Sequence, residues 1–241
     1  MIEKTNSIPC ILLVKEQYLE TEESFLESCL ASTPILESKT GKVTVGETVP
    51  YDQSIVKRAL HIIRDPFDNI VSRFHHAHKS HKNNKDFVSR FPKNNDGFQE
   101  WCKEMDSQYG EEERALWDKE VFRSSRNVPC HSEFFRYIQW HNLAFSTLKG
   151  MNIPTLFVTY EDYGKNFDVN LFSILNFLEL KLENNITDFH RGDYSKYYSL
   201  EQRIAAMDMM RFQASEITWE KMKPYRFKVD QLQHEGNNFS Q

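Results

Sequence analysis

Residues His61 to His76 read HIIRDPFDNIVSRFHH, and the architecture follows from how they are parsed. An apolar run, entered through Ala59 and Leu60, stops at Arg64. Asp65-Pro66 follows, and a helical pattern begins at once. A short apolar run closed by a turn signal reads as a buried strand over 59–63. Asp65 suits the N-cap of the next helix and Pro66 its first position, where the missing N–H would be unpaired anyway. Phe67, Ile70, Val71 and Phe74 fall at i, i+3, i+4 and i+7, so that face packs on a sheet and the helix runs over about 66–79. Arg64 then stands at the carboxyl end of a strand, and Ser72 lies off the apolar stripe beside Asp68 and His75. Two chemistries fit this placement. One is a structural pair of Arg64 with Asp65 or Asp68. The other is an anion site, in which the guanidinium fork matches phosphate oxygens, Ser72 adds a donor and the helix start favours negative charge.

Working outward, CILLVK at 10–15 reads as a buried strand and 16–31 as a helix. SKTGKVTVGETVP at 38–50 alternates as an exposed strand or loop does. The polar stretch 79–97 reads as a surface excursion. Helices are expected near 97–108 and 112–122, from His131 to Gly150, around 169–180 and from Leu200 to Lys223. IPTLFVTY at 153–160 is a third buried strand. Strands alternating with helices imply an α/β fold, a parallel sheet flanked by helices, with ligands outside the carboxyl ends of the strands. Tyr160-Glu161-Asp162 marks a second such end, with two readings: a catalytic role, or a structural one in which Asp162 or a neighbour caps the next helix and Glu161 makes a structural contact. The aromatic stripe Phe134, Phe135, Tyr137, Ile138, Trp140 and Phe145 suits a core, with room for part of it to line an adenine slot. The chain divides into one domain over 1–228 and a polar C-terminal tail over 229–241.

The 241 residues carry a net charge of −5, so a broad basic surface for nucleic acid is not expected and any anion site is local. No run reaches the ~18 apolar residues of a membrane span, and no signal peptide is visible. Cys10, Cys29, Cys102 and Cys130 form no CxxC, leaving free thiols or disulfides open. Asn185-Ile-Thr and Asn238-Phe-Ser fit the glycosylation acceptor pattern. His75, His76, His78 and His81 lack a metal-ligand spacing and read as a solvated helix end, so no metal site is expected.

IIRDPFDNIVSRF resembles the 3′-phosphate-binding motif of the sulfotransferases that use 3′-phosphoadenosine 5′-phosphosulfate. YIQWHNLAF followed by IPTLFVTYEDY is similar to the helix, strand and Tyr-Glu-Asp segment that come later in that family. CILLVK is similar to the strand where many members read Val-Lys-Thr-His. The resemblance implies a P-loop-NTPase-like domain in which Arg64 and Ser72 hold the 3′-phosphate of the donor nucleotide. Arg191 and Lys196, in HRGDYSKYY at 190–198, then belong to a late basic loop closing over that phosphate. Glu16, at Val14-Lys15-Glu16-Gln17, is the candidate for a catalytic base that is otherwise unassigned. The reaction implied is sulfuryl transfer to an acceptor hydroxyl, a carbohydrate among the candidates, without a metal. The similarity to secretory members implies a Cys102–Cys130 bond and a Golgi or secretory lumen. The family's 5′-phosphosulfate loop has no counterpart here. Ser38-Lys-Thr-Gly-Lys42 shares letters with it but precedes an alternating run rather than a helix. The expectation is a chain beginning downstream of that loop, and of any membrane anchor. A non-catalytic nucleotide- or partner-binding relic is the alternative.

Overall fold

The computed structural model describes residues 31–36, 43–49, 56–110, 117, 119–182, 192 and 194–238. The stretch CILLVK, Glu16, Cys10, Cys29, Asn185 and Arg191 lie outside the described residues. Strands β1 (Ala31–Leu36) and β2 (Val43–Val49) pair antiparallel from Ala31↔Val49 to Leu36↔Val43. The alternating run at 43–49 is therefore a strand, and Ala31, expected to end a helix, opens its partner. The register shifts between Ser32 and Pro34, an irregularity that tolerates a residue with no N–H to give the ladder.

Strands β3 (Ala59–Ile63) and β4 (Thr155–Thr159) form a two-stranded parallel sheet, in register from Ala59↔Thr155 to Ile63↔Thr159. Helices α1 (Pro66–Ser80), α2 (Lys85–Arg90), α3 (Asn95–Gln108), α4 (Lys119–Ser125) and α5 (His131–Met151) come between the strands. After β4 come α6 (Tyr160–Lys165), α7 (Phe167–Leu178), a 3-10 turn at Ser195–Tyr197, α8 (Leu200–Gln213) and α9 (Glu216–Asn238). This is the expected α/β arrangement of a small parallel sheet with flanking helices. No helix among the described residues is long and apolar enough to cross a membrane.

Helix α5 is the hub, with α1, α3, α8 and α9 packed on it. Phe67, Ile70, Val71 and Phe74, the four stripe residues of α1, are buried with Phe98 and Trp101 of α3, Phe134 and Ile138 of α5 and Met207, Met209 and Met210 of α8. The aromatic stripe divides as a helical surface must, with Phe134, Tyr137, Ile138 and Phe145 buried and Phe135 and Trp140 half-buried.

Disulfide Cys102–Cys130 ties α3 to the residue before α5. The same junction is capped by Asp106 of α3. Its Oδ2 accepts from the Cys130 N–H at 3.0 Å and its Oδ1 from the Ser132 N–H and hydroxyl at 3.0 and 2.9 Å. Cys130, at the N-cap in the left-handed region (φ 61°), supplies no side-chain cap itself, so a carboxylate from the neighbouring helix satisfies these otherwise orphaned amides.

Three departures from the expected elements have local causes. The surface excursion at 79–97 contains α2 and the start of α3, capped by Asn84 and Asn94, because asparagine caps read as loop signals in a sequence. The helix expected over Leu200–Lys223 is two helices. At the break the Ser215 N–H donates to Asn142 Oδ1 at 2.8 Å, while Asn142 Nδ2 donates to the Gln213 carbonyl at 2.9 Å. The second helix does not stop before Pro224, where a boundary is expected. It continues to Asn238 through the first part of the stretch read as a tail, anchored beyond the proline by buried Tyr225 and Val229.

One polar pair lies in the core beside the sheet. His61 Nε2 and His141 Nδ1 are 2.8 Å apart, with the Phe145 ring stacked on His61 at 4.4 Å and Trp140 edge-on at 5.5 Å. Burial, with Lys221 second, pushes His61 down to about 4, and burial, with His61 second, drives His141 in the same direction. An unfolded chain takes up its histidine protons near pH 6.5, whereas the folded pair resists. Stability present above pH 6.5 is therefore lost as pH falls to 4, by about 3 kcal/mol from His61 alone. Urea midpoints at pH 7 and pH 4.5 should differ accordingly, and His61→Phe should flatten the dependence. Equal wild-type midpoints at the two pH values would refute it.

Candidate functional site

The strand end at Arg64 is held by its own peptide unit. Tyr137 of α5 donates its hydroxyl to the Arg64 carbonyl at 2.6 Å, and the N–H of the same peptide, on Asp65, donates to Glu161 Oε1 at 2.8 Å. Glu161 Oε2 accepts in turn from the Tyr225 hydroxyl of α9 at 2.8 Å. Burial first, then the carboxylates of Asp65 and Glu161, raises Tyr137 well above the ordinary tyrosine range, and burial with Glu161 does the same for Tyr225. Both phenols therefore stay protonated and act as donors. Asp65 caps α1 with Oδ1, accepting from the Phe67 N–H at 3.0 Å, while its Oδ2 meets Lys228 Nζ at 3.3 Å. Four elements thus fix one peptide plane, and with it the direction in which the Arg64 side chain leaves the strand.

That side chain makes no ion pair among the described residues. Asp65 is turned to the α1 amides and Lys228, so the carboxylate pairing that the sequence allowed with it is not formed. The guanidinium carbon lies 4.4 Å from the centroid of Tyr160 and 5.8 Å from that of Tyr194, within cation–π range of both. Its Nε is buried with no hydrogen-bond partner among the described residues. A buried donor of this kind costs about 1–3 kcal/mol unless something accepts from it, so the arginine is set for an acceptor that the described residues do not supply.

Ser72, two turns along α1, lines an open cleft of about 520 Å³ with His75, His76, His78, Lys79 and Lys93. Tyr194 joins this cleft to Arg64, since its ring lies beside the guanidinium and meets His75 edge-on at 5.2 Å. His75 Nε2 is 2.8 Å from the Tyr197 hydroxyl. Tyr194 and Tyr197, from the late aromatic stretch, are therefore brought against α1. Lys196 lies in that turn, exposed, and no contact of its ammonium with Arg64 or Ser72 is seen. Arg191 and Glu16 lie outside the described residues.

The sequence did not single out Tyr137, Tyr225, Lys228 or Tyr194 for this site. Tyr137 sits on the aromatic stripe and Tyr194 in the aromatic loop, both visible as segments. Tyr225 and Lys228 carry no such signal, because α9 reaches the strand end only through the tertiary fold. Glu161 makes a structural contact, as expected, but Asp162 offers its carbonyl to Asn166 and Asn170, and α6 and α7 have no side-chain cap from their own N-cap residues.

The histidine cluster is also accounted for. His78 bonds the Phe91 carbonyl and His81 the Ala77 carbonyl, and no group of three or more His, Cys, Asp or Glu among the described residues could hold a metal ion.

A strand ending in a clamped arginine with an unsatisfied donor, followed by a helix that carries a serine into a cationic cleft, is an arrangement for an oxyanion. Comparison with curated proteins and with solved structures returns no match. The family model described as Sulfotransferase domain matches residues 54–226, and so spans β3, β4, the clamp and the cleft. The chain belongs to the sulfotransferase family, whose members are transferases and generally use 3′-phosphoadenosine 5′-phosphosulfate as co-substrate.

Proposed function

We propose that this protein transfers a sulfuryl group from 3′-phosphoadenosine 5′-phosphosulfate to a hydroxyl of an acceptor, with carbohydrate as the acceptor class. The observation that carries this reading is Arg64. Its backbone is fixed from both sides, and among the described residues its Nε is buried without a hydrogen-bond partner and no carboxylate neutralises it. The guanidinium and the Ser72 hydroxyl would hold the 3′-phosphate, and the Tyr160 and Tyr194 rings would keep the guanidinium from turning away. The bound nucleotide supplies the sulfuryl group and a good leaving group. The described residues bind and orient it, and the acceptor's proton passes to a base, for which Glu16 remains the candidate. Lys196 and Arg191 are proposed to add charge at the rim. The Cys102–Cys130 bond and the acceptor triplets at Asn185 and Asn238 support residence in an oxidising secretory lumen, where such bonds persist.

Calorimetric titration with adenosine 3′,5′-bisphosphate tests the reading. Loss of a charge-assisted contact of this type costs about 1.5–3 kcal/mol, so Arg64→Ala should weaken binding by a factor of about ten to a hundred. The folded state of the variant is checked by its urea midpoint. Unchanged affinity in a folded Arg64→Ala protein would overturn the assignment. Nucleotide binding without transfer from a sulfur-labelled donor to any acceptor would favour the non-catalytic alternative.

A further inference from the structure

Helix α7 presents an apolar face that no described residue covers. It reads FDVNLFSILNFL, and of its 12 residues only Ile174 is buried. Leu171, Phe177 and Leu178 are half-buried on the side of Ile174, and the helix packs on α6 and β4. The opposite side of such a helix is ordinarily charged or polar. Here Val169, Phe172, Ser173 and Asn176 fall at i, i+3, i+4 and i+7 and share one outward face. Val169 is 71% exposed and Phe172 54%. Leu180 and Leu182, each about half exposed, add apolar surface at the end of the helix. Both ends of the helix are pinned. Asn170 Nδ2 donates to the Asp162 and Asn166 carbonyls at 2.9 and 3.0 Å. The Leu180 N–H donates to the Leu175 carbonyl at 2.8 Å, and Glu179 pairs with Arg58, just ahead of β3. An exposed apolar patch with a polar rim marks an interaction surface. The rim carries both signs, Lys165 and Asp168 at one end, Glu179 and Lys181 at the other. A helix that lies on lipid is instead rich in basic residues beside its apolar face. Asp168 and Lys181 are exposed, and neither has an ion-pair partner among the described residues.

We propose that this face binds a second copy of the chain, the two α7 helices pairing antiparallel about a two-fold axis. A two-fold contact needs a surface complementary to itself, and this one is. Antiparallel pairing lays Val169 of one copy against Leu180 of the other and sets the two Phe172 rings on either side of the axis. It brings Ser173 opposite Asn176, a polar pair that fixes register. It also places Asp168 of each copy opposite Lys181 of the other. Parallel pairing would set Asp168 against Asp168 and Lys181 against Lys181, so the charges select the antiparallel arrangement. The inference uses neither Arg64 nor Ser72 and stands independently of the donor reading.

One short helix per copy makes a small contact, so association should be weak and reversible. Sedimentation equilibrium of the full chain over a concentration series measures it. Phe172→Asp should weaken dimerisation at least tenfold, since an aromatic near the centre of a contact carries much of its energy. Its urea midpoint, read at a dilution where the wild type is monomeric, should match the wild type. Asp168→Lys and Lys181→Glu should each weaken the dimer about tenfold, because like charges then face each other at both ends. An equimolar mixture of those two variants should recover wild-type association, since the mixed dimer again sets opposite charges together at both ends. The double variant Asp168→Lys/Lys181→Glu should recover it alone. A wild type that stays monomeric throughout the series overturns the proposal, and so does a dimer indifferent to Phe172→Asp. Charge variants that weaken the dimer and do not recover on mixing rule out the antiparallel pairing, and the proposal with it. A lowered urea midpoint for Phe172→Asp would mean that the face is covered by the chain's own residues outside those described. A monomer that sediments with phosphatidylcholine vesicles would mean a lipid surface. Either result overturns the assignment to a second copy.

Discussion

Glu161→Ala should lower the free energy of unfolding by about 3–5 kcal/mol, because it leaves two donors without their acceptor, the Asp65 N–H and the Tyr225 hydroxyl, at about 1–3 kcal/mol each, and removes packing as well. Both donors belong to buried residues, Asp65 at 2% and Tyr225 at 7% exposure, so water does not readily replace the carboxylate. The same change should weaken adenosine 3′,5′-bisphosphate binding, because the Arg64–Asp65 peptide would be held on its carbonyl side alone. Glu161→Gln separates charge from geometry. Its amide oxygen can accept from Asp65 and its amide nitrogen can donate to the Tyr225 oxygen, so it should keep most of the stability and most of the affinity. Tyr225→Phe removes one donor and should fall between them. Urea unfolding and calorimetry on the three variants read both effects. An alanine variant within about 1 kcal/mol of wild type, or a glutamine variant as impaired as alanine, would show that this carboxylate does not hold the strand end.

Breaking the Cys102–Cys130 bond should cost a comparable amount. The cysteines are 28 residues apart and both are buried. Opening a loop of that size releases about 3–4 kcal/mol of chain entropy to the unfolded state. The paired variant Cys102→Ser/Cys130→Ser should therefore unfold at a lower urea concentration, and reduction of the wild type should bring it to a similar midpoint. Asp106 still caps α5 in the reduced protein, so the helix should persist by far-ultraviolet circular dichroism below the new midpoint. Identical midpoints with and without reductant would contradict the bond's role. A paired variant whose α5 has melted in the absence of urea would show that the bond, rather than the cap, holds that helix end.

Much of the fold was legible locally. The strand at 59–63, the Asp65 cap, Pro66 at the first helical position and the apolar stripe of α1 are set by neighbours within eight residues, and hydrophobic period and capping chemistry act at that range. The order of strand, arginine, helix and serine, together with the later Tyr-Glu-Asp segment, was enough to suggest the family. The division of the last helix was not legible, since Ser215 gives its N–H to Asn142, far away in the chain. Nor was its continuation past Pro224, which depends on what Tyr225 and Val229 bury against.

The sequence by itself determined which residues could meet an anion: an arginine at a strand end and a serine on the helix after it, because strand ends and helix starts are written in short-range patterns. Only the tertiary structure decided that Arg64 is presented rather than paired. Tyr137 and Glu161 grip the two sides of one peptide, Asp65 is turned toward its cap and Lys228, and Tyr160 and Tyr194 flank the guanidinium. Those partners come from chain positions 73 to 164 residues beyond Arg64, and no pattern along a chain encodes which distant side chain will meet a buried backbone group.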